Sequence, residues 1–75
     1  MIIHFSRHAR RRAKLYNISE SNIYEILRNL DLQDGEHDLT IDVPGFKYPV
    51  KIVVSVERNI ITVITNYPLK KGRSQ

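Results

Sequence analysis

The sequence predicts an α+β domain in the order β-α-α-β-β-β, with an antiparallel sheet and two helices packed on one of its faces. Three observations predict it. Ile23, Ile26, Leu27 and Leu30 recur at the 3-4-7 spacing of a helix with one buried stripe. Leu39, Ile41 and Val43 alternate with Thr40 and Asp42, the period of a strand with one buried face. Two β-branched runs flank Arg58-Asn59, a connection of hairpin length.

The elements follow in order. Ile2 to Phe5 is a short apolar run and reads as a strand. Ser6 is an N-cap, because its hydroxyl can accept from an amide of the first turn. A first helix follows from Arg7 to Tyr16, and Asn17 stops it, since Asn tolerates the left-handed conformation that ends helices. Ser19 caps a second helix, with Ile18 and Ile23 as a hydrophobic staple across its start. That helix ends near Asn29 to Asp31. Asp34-Gly35 is a turn, and Leu39 to Val43 is a strand. Pro44-Gly45 turns the chain into a long strand from Lys47 to Glu57, where Pro49 near the beginning costs little. Ile60 to Tyr67 is the last strand, halted by Pro68. The three late strands, joined by short loops, make an antiparallel meander.

With Arg58-Asn59 as a two-residue turn, Val50, Ile52, Val54 and Val56 share a face with Ile61, Val63, Thr65 and Tyr67. This apolar face is the one expected beneath the helices. The other face then carries Lys47, Lys51, Val53, Ser55 and Glu57 with Ile60, Thr62, Ile64 and Asn66. A one-residue slip would exchange these sets on one strand. Asn59 suits such a turn and Arg58 does not.

Seventy-five residues make a single domain, taken here as 1–69, with 70–75 as a basic tail. A chain this small buries roughly 60% of its unfolded surface. The sequence has no cysteine, which excludes a disulfide framework and a thiolate zinc site. The apolar core must hold the fold, with self-association as a homodimer or a partner protein as further supports. The chain opens without a signal-like segment, and no apolar run nears the roughly 20 residues of a membrane span. The expectation is a soluble cytoplasmic protein with no membrane partner.

Charge is unevenly spread. The net charge is +4. Arg7, Arg10, Arg11, Arg12 and Lys14 take five of the twelve Lys and Arg residues, and Lys70, Lys71 and Arg73 crowd the other end. Asp31, Asp34, Glu36, Asp38 and Asp42 lie between them. Like charges three or four residues apart on a helix repel. A helix this basic points to a polyanion: RNA, DNA or an acidic protein.

The segment Ser6-x-His8-Ala9-x-x-Arg12, followed by Ile18-Ser19, resembles the N-terminal signature of a family of small prokaryotic domains of unknown function, S-x-H-A-x-x-R-M-x-x-R-G-I-S. Ile60-Ile61-Thr62-Val63-Ile64-Thr65 is similar to that family's last strand. Ala13, Tyr16 and Asn17 stand where the pattern has Met, Arg and Gly. Those domains resemble the RelE/ParE/BrnT/MqsR toxin superfamily. Many of its members cleave mRNA, often on the ribosome, and are neutralised by a small antitoxin, whereas ParE-like members act on gyrase. The resemblance implies a RelE/ParE-like fold and, as partners, RNA (including ribosome-bound mRNA) and an antitoxin protein.

Metal-free RNA cleavage needs a base for the 2′-OH, cations for the phosphorane and an acid for the leaving oxygen. His8 is the natural acid or base; alternatively it only orients its helix. Lys47 and Lys51, about 13 Å apart on one strand face, lie where the resemblance puts an active surface; alternatively they blunt a sheet edge. Arg7, Arg10, Arg11 and Lys14 would grip phosphates or form a solvated face. Arg12, one helical turn from His8, would clamp a phosphate or pair with a carboxylate of the chain. Asn66 is expected opposite Lys51. Tyr67 would stack on a base or fill the core. His4 and His37 lack ligand spacing, so neither metal nor cofactor is expected. The leading expectation is a toxin-like component of a type II toxin–antitoxin system, acting as a metal-independent mRNA endoribonuclease. Its alternatives are a non-catalytic protein-interaction module and a nucleic-acid-binding protein without catalysis.

Overall fold

Two serines start the helices of the computed structural model, which describes residues 2–69. The expected basic tail, 70–75, lies outside the described residues. Strand β1 (Ile2–Phe5) leads directly into α1 (Arg7–Tyr16). Ser6 caps α1 by accepting from the Ala9 amide at 3.0 Å. Asn17 ends it at φ 60, in the left-handed region. Ser19 caps α2 (Glu20–Arg28) through the Asn22 amide, with Ile18 and Ile23 both buried across the turn. Strands β2 (Gly35–Ile41), β3 (Val50–Glu57) and β4 (Ile60–Pro68) follow. The order is the expected one.

The four strands form one sheet in the order β1-β4-β3-β2. β2, β3 and β4 are the antiparallel meander. β1 joins the outer side of β4 in parallel, so the sheet is mixed rather than purely antiparallel. The physical reason is connectivity: both helices intervene between β1 and the meander, which gives the chain room for a crossover that a hairpin loop lacks. β2 begins at Gly35, four residues before the expected Leu39 and at φ 124, which glycine adopts without strain. β3 begins only after Pro49, which has no N–H for a ladder. Lys47 therefore sits in the loop before β3 and not on its face.

One face of the sheet is buried beneath the helices. Val50, Ile52, Val54 and Val56 of β3 and Ile61 and Val63 of β4 are at most 6% exposed. They share a core with Phe5, Ala9, Ala13, Ile18, Ile23 and Leu27. The two alanines of α1 matter because nothing larger faces the sheet there, so the helix backbone comes close to β4. Burying each Val, Leu or Ile contributes about 1.5–3 kcal/mol, and this shared cluster is the main source of cohesion.

The register departs from expectation halfway along β4. Arg58 (φ 52) and Asn59 (φ 70) make the two-residue turn, and Val56 pairs with Ile61 and Val54 with Val63. Val53 then pairs with Thr65 rather than Ile64. Ile64 is the extra residue of a β-bulge, and every later side chain of β4 changes face. Asn66, paired with Ile52, enters the core at 0% exposure. Tyr67, paired with Lys51, moves to the open face. Ser6 holds the bulge: its amide donates to the Val63 carbonyl and its hydroxyl to the Ile64 carbonyl, each at 3.0 Å.

Candidate nucleic-acid interface

Helix α1 presents its cations along one side. Ala9 and Ala13 face the sheet, so the 100° step of the helix puts Arg7, Arg10, Arg11 and Lys14 on the opposite side. All four are exposed and line one shallow depression of about 410 Å³. Arg10 lies 3.7 Å from Glu20 of α2, an exposed and therefore weak pair. Among the described residues, Arg7, Arg11 and Lys14 have no carboxylate within 4.0 Å.

The other expected residues are distributed differently. Arg12 is half-buried and extends along its helix, its Nη1 donating to the Tyr16 hydroxyl at 3.5 Å. His8 is exposed on the same flank of α1, one turn before Arg12. Lys51 lies on the open sheet face, with its Nζ 3.9 Å from Asp38 Oδ2 of the neighbouring strand. Since Val50 and Ile52 on either side of it are buried under the helices, Lys51 points to the opposite side of the sheet from α1. Lys47, in the loop, has its Nζ 5.7 Å from the centre of the Tyr48 ring. The structure thus gathers Arg7, Arg10, Arg11 and Lys14. It separates them, and His8, from Lys51 by the thickness of the sheet.

Asn66 is the largest correction among the site residues. It was expected beside Lys51 on the open face, where a ligand could reach it. The bulge at Ile64 instead turns it inward, where Nδ2 donates to the Ala9 carbonyl at 3.2 Å. Its Oδ1 is buried without a protein partner. Tyr67 takes the place beside Lys51, exposed at the strand end rather than turned to the core. His37 Nε2 donates to the Gln33 carbonyl at 2.7 Å, a local structural bond. Among the described residues no group of three His, Cys, Asp or Glu side chains could hold a metal.

A second depression, of about 340 Å³, lies between the β1 edge and α2. Ile3, Phe5, Arg10, Glu20, Tyr24 and Glu25 are among its lining residues. Sequence reasoning missed it. Arg10 belongs to α1 and Glu20 and Tyr24 to α2, and only the packing of the two helices brings them to one strand edge. No helix of the described residues is long and apolar enough to cross a membrane. No protein-family model matches the chain, and no curated protein or solved structure is significantly similar to it.

Proposed function

We propose that this domain is a toxin-like RNA-binding protein that grips the phosphate backbone through the cationic side of α1. One observation carries the reading: four cations line a single depression, and three of them lack a carboxylate partner among the described residues. The resemblance of Ser6-x-His8-Ala9-x-x-Arg12 to the toxin superfamily supports RNA over other polyanions. Binding is favoured over the expected cleavage, because a general acid and a general base must reach one phosphate. His8 and Lys51 lie on opposite sides of the sheet, and Lys47 lies in a loop. Of the three expected catalytic residues, His8 alone belongs to the RNA-binding helix.

The test is the salt dependence of affinity for a labelled single-stranded RNA. Four phosphate contacts give a slope of about −3 in log K against log salt concentration, at roughly 0.7 per contact. Replacing Arg7 and Arg11 together with Gln reduces that slope by about 1.4. An affinity independent of salt, or a slope unchanged in the double variant, removes the basis of the reading. Mapping transcript ends after induction in cells, with and without His8→Ala, decides whether binding is accompanied by cleavage.

A further inference from the structure

The free edge of β1 offers the chain's second surface. In a parallel pair, alternate residues of a strand point their backbone groups at the neighbour. Ile2 and Ser6 donate to the Asn59 and Val63 carbonyls of the β4 side. The alternation therefore turns the N–H and C=O of Ile3 and Phe5 the other way, where no strand of the described residues pairs with them. Ile3 and Phe5 also line the depression beside α2. Unpaired strand groups beside a groove are a template for another strand.

Apolar surface collects at the same place. Ile2 (62% exposed) pairs with Ile60 (42%) along the open face of this edge, and Tyr24 of α2 (42%) overhangs the groove. Three of the five exposed large apolar side chains of the described residues thus border β1. β1 carries neither a lysine nor a proline, two of the usual protections against strand addition.

Charge identifies the occupant. The groove's two carboxylates are each met by a cation, Glu20 by Arg10 and Glu25 by Arg28. Arg10 lines both this groove and the cationic depression of α1. At the Arg10 end the groove therefore opens onto Arg7, Arg11 and Lys14, a surplus of positive charge. A symmetric second copy paired through β1 brings that same surplus with it and offers no compensating acid. We propose that the β1 edge binds an extended peptide of a protein partner, added as a fifth strand. Its residues are apolar at alternate positions, facing Tyr24 and the Ile3–Phe5 groove, and carboxylate-bearing where it passes Arg10 onto α1.

The test is selection of a displayed library of random dodecapeptides on the full chain, followed by measurements on a synthesised enriched peptide. The expected peptides carry β-branched or aromatic residues at every second position and Asp or Glu at one end. The bound peptide slows amide exchange at Ile3 and Phe5. Tyr24→Ala, a neutral change at an exposed helix position, weakens peptide binding by roughly tenfold or more while leaving RNA affinity unchanged, so this proposal and the RNA reading fail separately. Enrichment without that pattern overturns the proposal. Binding that survives Tyr24→Ala and leaves the Ile3 and Phe5 amides exchanging as in the free chain also overturns it. So does a free chain that sediments as a dimer with those amides already protected, since a second copy then holds the edge.

Discussion

Asn66 shows how much one side chain can depend on its surroundings. Its amide ties β4 to the Ala9 carbonyl of α1, and its other polar atom lacks a protein partner in the core. A buried amide that ties a strand to a helix backbone fixes a particular packing, and its loss is costly. Asn66→Asp removes the donor and places a carboxyl in the same buried site. Burial disfavours the charged form, so the folded-state pKa of the new group is raised above its unfolded value. The variant is therefore least stable above that raised value. It recovers as pH falls and the carboxyl protonates in the fold. At pH 7 the expected loss is about 3 kcal/mol or more, read from urea unfolding. A loss that does not shrink between pH 7 and pH 4 contradicts the burial argument. Tyr67 and Lys51 are the counterpart on the open face, brought opposite each other by the same change of register.

Element by element, the structure contains two local conflicts. Arg58 occupies φ 52 at the first position of the β3–β4 turn, a conformation that Asn adopts more readily than Arg. Arg58→Asn is expected to raise stability by about 0.5–1 kcal/mol, a rise in Tm of roughly 4 °C. An unchanged or lowered Tm assigns Arg58 a role beyond the turn. The second conflict is α1 itself. Its first turn holds no acidic residue and begins with Arg7, where the helix dipole disfavours a cation. Arg7 with Arg11, and Arg10 with Lys14, are like-charge pairs at i,i+4, each unfavourable by about 0.2–0.5 kcal/mol. Arg7→Glu is expected to stabilise the domain by about 0.5–1 kcal/mol and at the same time weaken RNA binding. Thermal unfolding and RNA titration of this one variant should move in opposite directions. If both fall, Arg7 is a structural residue.

For the molecule as a whole, the sheet divides two electrostatic surfaces. The α1 side carries a cluster of cations. The open face carries Glu36, Asp38 and Glu57, of which Asp38 lies beside Lys51, while Glu57 is at the opposite end of β3. A long polyanion is attracted to the first surface and not to the second. Arg11→Ala should therefore lower RNA affinity about fivefold near 0.1 M salt, the effect of losing one phosphate contact. Lys51→Ala should leave it within about twofold, since its charge is offset locally and lies on the other side. Equal losses in the two variants would mean that RNA wraps both faces. Much of this architecture was legible beforehand: both serine caps, the Asn17 stop, the Arg58-Asn59 turn and the cationic face follow from residues within a few positions of one another. The candidate site was legible only as far as α1. The relation of His8 to Lys51 depends on which sheet face each occupies, and that of Arg10 to Tyr24 depends on how two helices meet a strand edge.

The chain's own order of residues determined where both helices begin, where α1 ends and where the β3–β4 hairpin turns, because caps and turn residues act over a few residues at a time. Tertiary structure alone decided that β1 lies parallel to β4 and that Asn66 faces inward while Tyr67 faces out. For Asn66 and Tyr67 the reason is the bulge at Ile64. Its carbonyl is held by a hydroxyl 58 positions earlier in the chain, and no local pattern in β4 records that distant bond.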